Sequence, residues 1–182
     1  EILGALFPEA LPLKPFRFLK FPWRHQDLII SRTGYTGEDG FELYTSPALA
    51  ETLWLEISRA GEKSGLQPAG LGARDLLRQE AGLPLCGSEL SAEISPVQAG
   101  LDKFIAWEKP DFSGRAALRQ QQDDPLTPQR IGLVTDRSAI PRPGTPVYWR
   151  EQAIGSITSG TFSPTLQKGI GMASVNPVPP PG

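Results

Sequence analysis

The sequence is poor in reactive side chains: one cysteine, one histidine and one methionine in 182 residues. The single Cys86 excludes an internal disulfide and fits a reducing compartment. The single His25 excludes a histidine-based metal cluster, and a Ser/His/Asp triad would have to use this one residue, which reads as an exposed loop position. No apolar run approaches the roughly 20 residues needed to span a bilayer, and no signal-peptide pattern opens the sequence. Neither charge sign dominates. Lys and Arg total 18 against 20 Asp and Glu, interspersed, so there is no broad attraction for nucleic acid or an anionic membrane. The apolar share, 39%, is slightly low but enough for one domain with a sizeable core or two small ones. Nineteen glycines and nineteen prolines favour turns over long helices.

The stretch Ser31-Arg32-Thr33-Gly34-Tyr35-Thr36-Gly37-Glu38-Asp39-Gly40-Phe41-Glu42-Leu43-Tyr44 organises what is there. A strand-like run, 28–30, enters it and another, 41–44, leaves it. Clustered glycines between them supply positive φ or room for a ligand near the backbone. Strand alternation puts Phe41 and Leu43 on one face and Glu42 and Tyr44 on the other. The pattern alone fits two readings: a glycine-rich hairpin with a solvated acid, or a polar ligand contact at Glu42.

The rest of the chain reads in order as follows. The first six residues look like the tail of a helix, so the start reads as a cut. Residues 7–24 carry Pro8, Pro12, Pro15 and Pro22 and are expected to be irregular. Ser46-Pro47 is a helix start; Leu49, Leu53, Ile57 and Ala60 form its apolar stripe, and Gly61 and Gly65 are stops. Trp54 is expected to pack. A short strand is expected at 66–69. A helix at 71–81 is expected to bury Ala73, Leu76 and Leu77, with Glu80 in the same stripe and needing a partner, and with Arg74 at its edge. Gly70-Leu71-Gly72 lacks the third glycine of a dinucleotide fingerprint. A polar loop at 86–95, a strand at 103–107 and a helix capped by Ser113 follow. The polar, proline-containing segment 120–128 marks a domain boundary. Strand-like runs at 131–135, 147–149, 154–159 and 169–175, with Gly and Pro between them, predict a small antiparallel sandwich or barrel. The tail, 176–182, is expected to be irregular.

Residues 32–42, Arg32-Thr33-Gly34-Tyr35-Thr36-Gly37-Glu38-Asp39-Gly40-Phe41-Glu42, resemble the signature of the glycine cleavage system T protein family, which are aminomethyltransferases. Three later blocks agree in order: Gly70-Leu71-Gly72-Ala73-Arg74-Asp75, Ser95-Pro96-Val97-Gln98-Ala99-Gly100-Leu101 and Ile157-Thr158-Ser159-Gly160-Thr161-Phe162-Ser163-Pro164-Thr165-Leu166. The resemblance covers the C-terminal half of the family's protein. It implies an α+β class: the later part of a folate-binding α+β domain at 1–122, a linker at 123–128, and a small antiparallel β-barrel domain at 129–182, cut short and leaving an unpaired edge. It implies tetrahydrofolate as cofactor and the lipoyl-bearing H protein as partner, with no nucleic acid or membrane partner. The aminomethyl group would pass to the folate with release of ammonia. The compartment implied is the cytoplasm, or the mitochondrial matrix in a eukaryote.

Residue by residue, Glu42 and Arg74 match the family's pterin contacts. A pterin presents an amino group and a ring N–H side by side, which a carboxylate accepts as a charge-assisted pair. A guanidinium offers a fork of donors to oxygens. Both residues are expected to face one cavity, on the side of the hairpin away from Phe41 and Leu43. The family's catalytic acid lies in the half this chain does not include, so no catalytic residue is assigned here and the chain by itself is expected to be inactive. Lys103 stands where many members carry Trp, and the family's folate-contacting aromatic near its C-terminus has no counterpart here. Two alternatives remain: a folate-binding module of a dimethylglycine or sarcosine dehydrogenase, which an upstream flavin motif would reveal, and a non-enzymatic folate-dependent protein of iron–sulfur assembly, whose Cys-containing signature Cys86 does not match.

Overall fold

A computed structural model of the chain describes residues 2–136 and 139–180. Glu1 of the expected helix tail, and Pro181 and Gly182 of the expected irregular tail, lie outside the described residues. The chain divides into two compact units, Glu1–Arg74 and Asp75–Gly182.

In the first unit, β1 (Phe18–Trp23), β2 (Gln26–Ser31) and β3 (Glu42–Tyr44) form an antiparallel sheet in that order. β1 corrects the expectation of irregular chain through residue 24. Leu19, Phe21 and Trp23 alternate with the exposed Phe18, Lys20 and Pro22, a period-2 pattern that the surrounding prolines hid. Pro22 is tolerated because β1 is an edge strand, and Lys20 pairs with Asp27 across the ladder at 3.8 Å. Arg24 and His25, with φ of 51° and 64°, make the two-residue turn to β2. Positive φ at both positions matches the twist of the flanking strands. His25 is exposed, as expected.

Leu28 and Ile30 alternate into the core with Phe7, Ala10 and Leu53, and Phe41, Leu43 and Ile57 pack against them. Burying Leu28 or Ile30 is worth about 1.5–3 kcal/mol each. Leu53 and Ile57 come from helix α2 (Pro47–Gly61), which follows the short α1 (Ile2–Leu6) in helix order. Ser46 stands at the N-cap of α2, but its hydroxyl bonds the Gln26 side chain and not a helix N–H. α2 stops at Gly61, where a Cβ would come within 2.5 Å of Leu66. Trp54 is 57% exposed on its outer face, which overturns the packing role expected for it. Residues 66–69 are irregular and no strand forms: the Leu66 N–H turns back to the Gly61 carbonyl, and Pro68 has no N–H for a ladder.

Helix α3 (Leu71–Glu80) reverses the expected burial. Leu71 and Leu77 are exposed, whereas Arg78 and Gln79 are buried. In the second unit, Arg78 donates to Asp75 (2.8 Å), to Glu89 (3.1 Å), to Ser159 Oγ (3.1 Å) and to the Leu83 carbonyl (3.3 Å). A guanidinium with four of its five N–H donors engaged, two of them by carboxylates, can be buried where a bare one cannot. Glu80, expected inside, is exposed, with its carboxylate accepting from Ser163 Oγ. The loop after residue 85 carries the buried Glu89, whose Oε2 also accepts from the Leu85 N–H at 2.9 Å. The strand expected at 103–107 is instead a 3-10 turn, Asp102–Phe104, followed by turns, because local bonds such as Phe104 N–H to Leu101 O take the backbone. Helix α4 (Arg115–Asp123) is capped by Gly114, at φ 86°, and not by Ser113.

Strands β4 (Gln129–Val134), β5 (Pro146–Trp149), β6 (Gln152–Ser163) and β7 (Lys168–Val175) form an antiparallel sheet in the order β4-β7-β6-β5. Ile154, Ile157, Ala173 and Val175 are its core. β6 and β7 approach so closely that a Cβ on Gly155 would sit 1.9 Å from the Ser174 carbonyl oxygen. The class is therefore α+β, with a barrel-like second sheet. Among the described residues the edges β4 and β5 do not pair, so the barrel is not closed.

Candidate functional site

The register Ile30↔Leu43 and Ser31↔Glu42 sends Leu43 into the core and turns Glu42 to the opposite face beside Ser31. The loop between β2 and β3 is pinned from its first residue. Arg32 grips both oxygens of Asp39 at 3.0 and 2.9 Å and donates to the Leu13 carbonyl at 2.7 Å. The bidentate Arg32 bonds hold the Asp39 carboxyl below the usual carboxylate range, and Asp39 raises Arg32 in return. Gly37, at φ 84°, lets the loop fold back between these anchors.

That folding leaves a cavity of about 260 Å³ whose walls include Thr33, Tyr35, Glu38, Phe41, Glu42 and Arg74. The half-buried Glu42 carboxylate accepts from the Thr33 hydroxyl, which lies 2.9 Å from Ser31 Oγ. The Arg74 guanidinium stands over the Tyr35 ring, 4.6 Å from its centre. Tyr44, on the Glu42 side of β3, ionises above the usual phenol range, first because the Glu42 charge is beside it, then through desolvation and a hydrogen bond to Glu42. The structure thus brings Glu42 and Arg74 to one cavity. Phe41 lines it too, contrary to expectation, because Phe41 precedes β3 and is not bound by its alternation. Sequence reasoning missed the wall roles of Thr33, Tyr35 and Glu38, although the place of Tyr35 and Glu38 between the loop glycines, and of Thr33 directly before the first, was a signal. Lys103 lies in the second unit, its ammonium 5.1 Å from the Phe104 ring centre.

A larger cavity, about 500 Å³, opens in the second unit beside Glu80, Arg130 and Met172. Its cation is already committed: Arg130 donates to the Ala99 and Gly82 carbonyls at 2.7 and 2.8 Å. The smaller cavity, with a carboxylate and a guanidinium in its walls, is the better match for a polar planar ligand. Among the described residues no group of His, Cys, Asp and Glu is placed to hold a metal, and no helix is long and apolar enough to cross a membrane.

The Arg32–Asp39 clamp predicts an acid response of the loop. A carboxyl with a depressed folded pKa stabilises the fold fully above its ordinary value of about 3.9, and the contribution is lost as pH falls through the lower folded value. The Arg32 Nε–H resonance is expected to hold its position down to about pH 4 and to move below it, and Asp39→Asn is expected to abolish the transition. An Asp39 carboxyl that titrates at or above the ordinary aspartate value in the parent would show that the clamp does not form in solution.

Comparison with known proteins adds a lineage. The family model "GCVT N-terminal domain" matches residues 1–109, and "Glycine cleavage T-protein C-terminal barrel domain" matches residues 129–179. An aminomethyltransferase of Moorella thermoacetica is 52% identical over 147 residues, which cover 81% of this chain and 40% of that protein. One of Caldanaerobacter subterraneus is 49% identical over 178 residues, covering 97% of this chain and 48% of that protein. The crystal structure of glycine cleavage system aminomethyltransferase T from Bartonella henselae superposes with a TM-score of 0.80 at 32% identity, over 95% of this chain and 48% of that one. The chain spans about half the length of the curated relatives it matches.

Proposed function

This chain belongs to the glycine cleavage T-protein family, and on that premise we propose that it forms the tetrahydrofolate-holding part of an aminomethyltransferase. The observation that carries the reading is the meeting of Glu42 and Arg74 in the walls of one cavity. The donor set fits a pterin. Glu42 supplies a half-buried carboxylate for the paired amino and ring N–H donors. Arg74, steadied over Tyr35, supplies guanidinium donors for an oxygen of the ligand. When bound, tetrahydrofolate supplies the acceptor for a one-carbon unit. The group would arrive as aminomethyl on the lipoyl arm of an H protein, and ammonia would leave.

Transfer also needs an acid placed at the departing ammonia. Glu42 is engaged by Thr33, and Glu38 is exposed at the cavity rim, so neither is assigned that role. We place the boundary between the two family domains at 123–128, separating 1–122 from 129–182, a division distinct from the two compact units, which divide after Arg74. The gap between the family-matched segments, which end at 109 and resume at 129, supports this division.

Ammonia release from aminomethyl-loaded H protein, measured with and without tetrahydrofolate, tests the function. The complete reading frame that contains these residues is expected to release ammonia in a folate-dependent way, and no release from it would sink the reading. These 182 residues by themselves are expected to release none; turnover from them would place the acid within this chain.

A further inference from the structure

Three side chains form a hydrogen-bonded line at the end of the first sheet: Ser31, the last residue of β2, Thr33, two residues into the loop, and Glu42, the first residue of β3. Ser31 and Glu42 are directly opposed across β2 and β3. Thr33 Oγ1 reaches both, lying 2.9 Å from Ser31 Oγ and hydrogen-bonded to Glu42 Oε2. A hydroxyl has one proton to give and lone pairs to receive with. With its proton on Glu42, Thr33 accepts from Ser31, so the two hydroxyls point one way, toward the carboxylate. Thr33 is β-branched, with a restricted χ1, which suits it to hold that direction.

We propose that Thr33 is a positioning residue: it holds the Glu42 carboxylate turned into the cavity before any ligand arrives, so that the ligand meets a pre-set acceptor. The proposal rests on the reading of Glu42 as the contact for paired N–H donors. Its physical content is entropic. A glutamate left to itself samples several rotamers, and fixing them on binding subtracts from affinity. Tyr44 provides an internal reporter, since its ionisation is raised by the Glu42 charge beside it and is sensitive to where that carboxylate sits.

The test compares Thr33→Val, which keeps the shape and removes the hydroxyl, with Thr33→Ser, which keeps the hydroxyl. Tetrahydrofolate affinity is measured in the complete reading frame, and Tyr44 ionisation by NMR of 13C-labelled tyrosine in this chain. Thr33→Val is expected to weaken affinity about tenfold, in line with the loss of one hydrogen bond to a charged group, and to move the Tyr44 titration away from its parent value. Thr33→Ser is expected to preserve both. Unchanged affinity and unchanged Tyr44 titration in Thr33→Val would overturn the proposal, as would equal damage from both variants, which would mean the methyl group matters and the hydroxyl does not. Glu42→Ala separates the two levels. If it weakens binding while Thr33→Val is silent, positioning is wrong and the Glu42 contact stands. If Glu42→Ala is itself silent, the underlying reading falls.

Discussion

Replacing Arg78 by alanine is expected to destabilise the second unit by about 3–5 kcal/mol, the range for breaking a buried ion pair from one side. The side chains of Arg78 and Glu89 are 3% and 1% exposed. Without the guanidinium, the Glu89 carboxylate is left buried with only the Leu85 N–H on its Oε2. Ser159 Oγ and the Leu83 carbonyl lose their donor at the same time. For a urea slope of about 2 kcal/mol/M, the unfolding midpoint should fall by roughly 2 M. Removing both charges together, Arg78→Met with Glu89→Gln, should cost less than Arg78→Ala alone, because the amide still accepts from Leu85 and no bare charge remains. A single-variant loss below about 1 kcal/mol would mean water reaches Glu89 and the pair is not dry.

Glu42→Ala, in the complete reading frame, is expected to weaken tetrahydrofolate binding by about 1.5–3 kcal/mol, the worth of hydrogen bonds to a charged group. That is roughly a 10–150-fold rise in Kd. The substitution should leave stability close to the parent. Glu42 is only half-buried, and Thr33 keeps Ser31 as a hydrogen-bond neighbour. Calorimetric titration reads the affinity and thermal unfolding reads the stability. A variant that binds as the parent does would remove Glu42 from the ligand contacts; one that unfolds early would reveal a structural role in the hairpin.

The hairpin was legible because two independent signals coincide there, glycines clustered in the loop and alternation in the flanking runs. The four strands of the second unit were legible for a similar reason, with Gly and Pro spaced between β-branched runs. β1 was not, because the four prolines up to residue 22 outweighed the Leu19, Phe21, Trp23 alternation, and nothing local says that Pro22 falls on an edge. The apolar run at 103–107 does not distinguish a strand from a turn packed by its own side chains. The inverted burial of α3 has a deeper cause. Periodicity assigns a lone arginine to solvent, and the partner that makes its burial possible, Glu89, lies 11 residues away in a loop. Pairings of that kind belong to the tertiary fold. The Thr33–Glu42 bond was hidden in the same way, since it requires the register of β2 and β3 before the two residues become neighbours.

Pro22 and Lys20 on β1 have a practical bearing on how the protein behaves at high concentration. A sheet border lined with free N–H donors invites a neighbouring molecule to add its own strand, the first step toward fibrils and gels. Here that border carries a residue with no N–H and, two positions earlier, a lysine whose side chain is 64% exposed. At the other border β3 is only three residues long, too short to template a stable ladder. Phe16 and Phe18 can therefore remain exposed beside this sheet without nucleating strand-on-strand growth, and Pro22→Thr would be the substitution that turns a clear concentrated solution cloudy.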